Sequence, residues 1–201
     1  MCGHVEIGEQ KDMKIVKRDG SVYTSKNTSG NPGSMLPVVT DALPDKVQLF
    51  RWGLLTLDDD RIHSKRKHAR IESLTFVADW KELVGRKHCV ARVQSYFEYN
   101  AAQNITYRVE RTDGKPFYIA GLWDIWFDIR TGLLLPNFLM ITVPPNTAIE
   151  AIHDRMPAIL ERENIRHWLH AHLSGPERVS FLKKHPCPPE NLKISVHRQG
   201  Q

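Results

Sequence analysis

Five apolar, β-branched stretches, MLPVV, LFRWGLL, HCVARVQSYFEY, PFYIAGLWDIWF and NFLMITV, follow one another with few helical segments between them. Such runs read as strands, and strands that adjoin without alternating helices argue against a doubly wound nucleotide fold. Neither G-x-G-x-x-G nor a P-loop is present, so the usual phosphate cradles are missing as well. Helical spacing is confined to TFVADWKELVG, ending at Gly85, to TAIEAIH after PPN with Asn146 as its cap, and to ENIRHWLHAHL and PERVSFLKKH. The pattern predicts a single α+β domain over residues 1–201, sheet-rich with peripheral helices, in which residues from position 186 form a tail or an edge segment.

The 201 residues are 41% hydrophobic and 25% charged, enough for one sizeable core. A formal charge of +5, with ten histidines beside it, suits a polyanionic partner, because clustered cations neutralise phosphates and release counterions. No apolar run approaches a membrane span and no signal-peptide pattern opens the chain, so a cytoplasmic protein with no membrane partner is expected. Three cysteines without a C-x-x-C pair give neither a disulfide framework nor a zinc-ribbon spacing. Cys89 reads as core and Cys187 as loop.

The first four residues, MCGH, place a cysteine where removal of Met1 would make it the amino-terminal residue. Its α-amine and thiol, with ordinary pKa values of about 8 and about 8.5, would then both keep a nucleophilic fraction near neutral pH. An aldehyde can condense with the amine to an imine, on which the thiol closes to a five-membered thiazolidine. Taken alone, MCGH is equally an ordinary second-position cysteine.

Glu98 interrupts the aromatic run SYFEYN, where a partly desolvated carboxylate would become a better proton shuttle; simple alternation would instead put it on the wet face of a strand. His153, Asp154 and Arg155 stand between two apolar segments, just before a proline-bounded strand. Such a junction can aim polar groups into a site or simply cap a helix end with an ion pair. Lys65, Arg66, Lys67 and Arg70 form a basic cluster flanked by His63 and His68, readable as a solvated loop or as a phosphate contact. His167, His170 and His172 have no cysteine or carboxylate at a recognised metal spacing, and a helix surface is the better reading; no metal and no cofactor are expected.

In their order, MCG, NPGSMLPVV, RWGLL, HARIES, YFEYN, AGLWDIW and MITVPPNTAIEAIHDRMPAIL resemble the SOS response-associated peptidase (SRAP) family, and HDRMP carries the most specific part of the likeness. The resemblance implies a single SRAP-like domain with a barrel-like core. It also implies a repair activity on single-stranded DNA containing abasic sites; a monomer is expected, though no residue of the sequence fixes the oligomeric state. In that reading Cys2, exposed by autocatalytic removal of Met1, forms a covalent thiazolidine with the ring-opened abasic aldehyde. Glu98 would carry protons during Met1 removal and imine formation, and His153 would act on the sugar. Arg70, Trp52, Arg155 and His4 would lie along the DNA path, since guanidinium groups suit phosphates and indole faces suit unstacked bases.

The chain departs from the family pattern at His68, where an asparagine is usual, and at His4, where an arginine is common. His68 would bring a group titrating in the histidine range beside the nucleophile. Two other readings stay open: a module of the same fold that binds single-stranded DNA without crosslinking, and a general thiol peptidase using Cys2 and His153.

Overall fold

In a computed structural model of the chain, residues 2–8, 13–16, 22–25, 28–55, 66–170 and 172–197 are described. Met1, His63 and Lys65 lie outside the described residues. The elements run β1 (His4–Glu6), β2 (Met13–Val16), β3 (Val22–Ser25), β4 (Ser29–Gly30), β5 (Met35–Thr40), β6 (Leu43–Trp52), β7 (His68–Arg70), α1 (Ala78–Lys81), β8 (His88–Val93), β9 (Ser95–Asn100) and β10 (Ile105–Arg111). They continue with β11 (Phe117–Phe127), β12 (Leu134–Val143), β13 (Met156–Pro157), β14 (Ile159–Leu160), α2 (Arg162–His170), α3 (Gly175–Lys184) and β15 (Leu192–Val196).

Five strands close on themselves in the order β12, β6, β5, β8, β11 and back to β12, a barrel that leaves no open edge between them. Closure brings β11 and β12 together at Gly121, where any Cβ would stand 2.5 Å from the Leu139 carbonyl oxygen. Glycine is the residue that tolerates such an approach. Phe138 and Met140, on one face of β12, enter a core with Leu36, Val38, Phe50, Val5 and Cys2. Leu139 and Ile141, on the other, pack with Trp168, Phe181 and Leu182 of the helices. A strand buried on both faces reads as a continuous apolar run, which is why NFLMITV shows no alternation.

The long β8–β9 segment leaves the barrel after Val93 and enters a second sheet, ordered β15, β10, β9, β1, β4. There β9 pairs antiparallel with β1, His4 opposite Phe97 and Val5 opposite Tyr96. The second sheet thus holds the amino-terminal segment against the barrel. Residues 192–196, at the carboxy-terminal end, pair with β10 as an edge strand.

The helices sit outside, as the sequence suggests, but two are curtailed. TFVADWKELVG yields the four residues of α1 and a 3₁₀ turn at Leu83–Gly85, because Val77 at the cap position offers no side-chain acceptor to the unpaired N–H groups. TAIEAIH forms successive turns instead of a helix. Asn146 accepts from the Ile149 and Glu150 N–H groups, yet its side chain also donates to the Cys187 carbonyl at 3.0 Å, anchoring the turns to the carboxy-terminal loop. By contrast α3 has a capping box, with the Glu177 carboxylate accepting from the Ser174 N–H at 2.8 Å.

Candidate active site

The barrel and the second sheet meet at Cys2. It is 1% exposed, and its Sγ donates to the His4 carbonyl at 3.3 Å. Burial pushes the Cys2 thiol up to about 12, helped by the negative charge of Glu98. The thiol is therefore held protonated near neutral pH.

Glu98 reaches Cys2 from β9. It is 1% exposed on the inward face of the strand, the face it shares with Tyr96 and Asn100 by alternation. Desolvation raises its pKa, against a hydrogen bond from the Cys2 backbone that favours the charged form; the charge of Asp154 adds to the rise. A buried carboxyl group of raised pKa can hold or release a proton near neutral pH.

His68 approaches from a third direction. β6 and β7 lie in succession along one edge of β12, both parallel to it, with His68 opposite Met140. Its ring meets Trp52 edge-on, and burial pushes the imidazole down to about 3, assisted by the charge of Lys67. Neither ring nitrogen makes a well-formed hydrogen bond. Titration of His68 in the histidine range is thus not what this environment gives: the ring stays neutral throughout it.

His153 and Asp154 enter from the turns before β13. The Asp154 carboxylate stands 2.7 Å from His153 Nδ1, and the Arg155 backbone N–H lies 3.1 Å from the same nitrogen. Burial lowers the His153 pKa while Asp154 opposes the shift. Asn100 joins this segment to β9, donating from Nδ2 to the Ala151 carbonyl at 3.0 Å.

The residues expected along a DNA path divide. Arg70 is exposed on β7. His4 projects to the face of the second sheet away from Glu98, stacked on Phe97 with ring centroids 4.8 Å apart and hydrogen-bonded from Nδ1 to Asn31 Oδ1 at 2.7 Å. Trp52 is fully buried and shows no face to a base. Its Nε1 donates to the Lys67 carbonyl at 3.0 Å, and its ring meets His68 edge-on, so it fixes the segment carrying His68. Arg155 is 7% exposed, bound to the Glu72 carboxylate and the Thr142 carbonyl. Sequence reasoning passed over Tyr96, Asn100 and Glu72. Inward alternation on the SYFEYN strand could have found the first two; the Glu72 to Arg155 contact spans 83 positions and leaves no local signal. Among the described residues no group of three or more histidine, cysteine or acidic side chains is arranged to hold a metal, and no helix is long and apolar enough to cross a membrane.

Residues 1–198 match the model of the family described as SOS response associated peptidase (SRAP). The abasic site processing protein YobE of Bacillus subtilis is 29% identical over 194 residues, covering 90% of this chain and 88% of that protein. A crystal structure of a protein from Bacteroides thetaiotaomicron superposes with a TM-score of 0.78 at 27% identity, covering 98% of this chain and 92% of the other. A second, from Bordetella bronchiseptica, gives 0.80 at 21% identity over 98% and 100% of the two chains, a likeness of fold.

Proposed function

The chain belongs to the SOS response associated peptidase family, and from that premise we propose that it processes abasic sites in single-stranded DNA by forming a covalent thiazolidine through Cys2. The observation that carries the reading is the burial of Cys2 and Glu98, each 1% exposed, within electrostatic reach of one another, the carboxyl held at a raised pKa by desolvation.

The chemistry proceeds in three balanced steps. Water adds across the Met1–Cys2 peptide bond, releasing methionine and leaving the α-amine of Cys2; Glu98 takes a proton from the water and passes one to the departing nitrogen. The amine then condenses with the aldehyde of the ring-opened abasic sugar, giving an imine and water. His153, its ring oriented by the Asp154 carboxylate 2.7 Å from Nδ1, acts on the sugar oxygen as the ring opens. Last, the S–H of Cys2 adds across the C=N bond: carbon gains sulfur, nitrogen gains hydrogen, and nothing leaves. Neutral His68 adds no charge that would oppose a cationic imine. Arg70 meets phosphate.

A denaturing gel of the protein with abasic single-stranded DNA tests this. A slow band is expected with the wild type, absent with Cys2→Ala and absent after methoxyamine has capped the aldehyde. Equal capture of undamaged oligonucleotide would overturn the reading, and binding without any covalent band would leave a noncovalent module of the same fold.

A further inference from the structure

Tyr96 has no part in the steps above, yet it lies in the same apolar cluster as Cys2 and on the same strand face as Glu98. The side chain is fully buried and its ring tilts against Phe117 with centroids 5.6 Å apart. Its hydroxyl has no hydrogen-bond partner among the described residues. A buried hydroxyl left unbonded is unfavourable, and phenylalanine would fill the same space without that penalty. Something other than packing therefore accounts for the oxygen.

Its neighbourhood follows from the strand pairing. Tyr96 and Glu98 are two residues apart on one face of β9, and Tyr96 shares one apolar cluster with Cys2 and Cys187. Tyr96 stands opposite Val5 on β1, next to His4, whose carbonyl holds Cys2 Sγ; in keeping with that placement, the charges of Glu98, Cys2 and Cys187 add to burial in raising the Tyr96 pKa. Cys187 is turned elsewhere, its Sγ directed at Glu161 and at the Pro188 carbonyl. Cys2 Sγ is different: in the resting chain it is a donor, committed to the His4 carbonyl, and a thiol that donates has little to offer a second donor. During ring closure that changes, because sulfur loses its proton and accumulates negative charge inside an apolar cluster.

We propose that Tyr96 is a further catalytic residue of the crosslinking reaction, its hydroxyl donating a hydrogen bond to Cys2 Sγ as negative charge develops there during closure of the thiazolidine. The inference rests on the abasic-site reading. It assigns Tyr96 to the third step alone: the O–H bond is not broken, and the thiol proton still ends on the former imine nitrogen. Donation to a charged acceptor in a site of low dielectric is worth far more than to a neutral one. The orphan hydroxyl of the resting state is thus an acceptor-seeking group held ready for the transition state.

Tyr96→Phe tests it, since the change removes one oxygen and keeps the ring. Single-turnover reactions with abasic single-stranded DNA are quenched two ways: with borohydride, which reduces the imine to a stable amine and so counts its arrival, and without reductant under denaturing conditions, which counts the closed ring. The variant is expected to accumulate borohydride-trapped product at the wild-type rate while the closed product forms roughly ten- to a hundredfold more slowly, with thermal stability equal to or above the wild type. Unchanged closure overturns the proposal. So does equal slowing of both signals, which would mean that Tyr96 shapes the whole site. If the wild type forms neither product, the abasic-site reading itself fails, and alkylation of Cys2 by iodoacetamide followed by mass spectrometry decides the Tyr96 contact. A rate that rises at higher pH in Tyr96→Phe than in the wild type supports it, and superimposed profiles overturn it.

Discussion

Arg155 donates from Nη1 and Nη2 to the two carboxylate oxygens of Glu72, each at 2.9 Å, and from Nη2 to the Thr142 carbonyl at 2.7 Å. The contact ties the segment bearing His68 and Arg70 to the one bearing His153, two parts of the chain that meet only because β7 and β13 both pair with β12. A bidentate guanidinium pair also fixes orientation. Since the Arg155 backbone N–H lies against His153 Nδ1, whatever moves Arg155 moves His153.

Glu72→Gln should therefore destabilise the protein and misplace His153 together. Losing one partner of a fully buried pair costs about 3–5 kcal/mol. The Glu72 side chain is 46% exposed, so water screens the charge and a loss of about 1–2 kcal/mol is expected at pH 7. Burial pushes the Glu72 carboxyl up, but the hydrogen bonds and charge of Arg155 outweigh it and hold the group below its ordinary range. A depressed carboxyl pKa contributes stability above the unfolded value of about 4.3, lost as pH falls through the folded one. Urea melts of the two proteins should converge on acidification. A gap of constant size at every pH would show that the ion pair is not its source.

His68 predicts an acid sensitivity of stability and none of rate. Its folded pKa of about 3 lies far below the unfolded value of about 6.5, so the unfolded chain takes up a proton that the folded chain refuses. Stability from this group is present above the unfolded pKa and falls with acidification, by about 1 kcal/mol per pH unit. His68→Asn should flatten the dependence of Tm on pH between 4 and 6. The pH profile of crosslinking from 5 to 8 should keep its shape in the same variant, since the imidazole is already neutral there. A histidine-range titration that disappears in His68→Asn would contradict the burial seen here.

How far the sequence reveals this site depends on the range of the interactions that build it. MLPVV, PFYIAGLWDIWF and NFLMITV declare their strands because burial writes apolar residues locally. MCGH, by contrast, shows what chemistry an amino-terminal cysteine could do but not whether it does it, because the residues that meet Cys2 come from distant segments. Trp52 is harder: an indole reads equally as a stacking platform or as core, and only the pairing of β12 with both β6 and β7 encloses it. Arg155 is similar, since its partner Glu72 is distant in sequence. The titration of His68 was misjudged for the same reason, because desolvation arises from packing by other elements and not from neighbours in the chain. β10 carries no strand expectation, since ITYRVER is interrupted by Arg108, Glu110 and Arg111 and half-buried, and β15 is expected only as a tail or edge segment, LKISV being largely exposed at the sheet edge.

Arg70 is exposed at the end of β7, close to His68 and free of the enclosure that surrounds Arg155. Arg70→Ala should weaken noncovalent binding of single-stranded DNA and reduce the slope of log affinity against log salt by about 0.7, the release expected for one phosphate contact on a single strand. Fluorescence anisotropy from about 50 to 200 mM salt covers the informative range. Intact mass of the variant should still lack Met1, since Arg70 takes no part in that hydrolysis. An unaltered slope would place the strand on another surface.

Glu98 carries the sharpest opposition between stability and activity. Burial raises its pKa above the unfolded value, with the hydrogen bond from the Cys2 backbone and the charge of Asp154 pulling in opposite directions. For a raised carboxyl the linkage runs opposite to that of Glu72: its contribution is fully present below the unfolded pKa of about 4.3 and is lost as pH rises through the folded value. Above that folded value the native protein holds a buried charge that the unfolded chain would keep in water. Glu98→Gln preserves the shape and removes that charge, so its Tm should exceed the wild type at pH 8, by roughly 2–4 °C for each kcal/mol relieved in a chain of this size, and approach it at pH 4. The same variant has no carboxyl to move protons at the Cys2 nitrogen. Its intact mass should retain Met1 and it should form no covalent product with abasic DNA. A variant that is stabilised yet fully processed would remove Glu98 from the chemistry; one that is inactive and less stable at pH 8 would make it a structural carboxylate, bound to the Cys2 backbone for the sake of the fold.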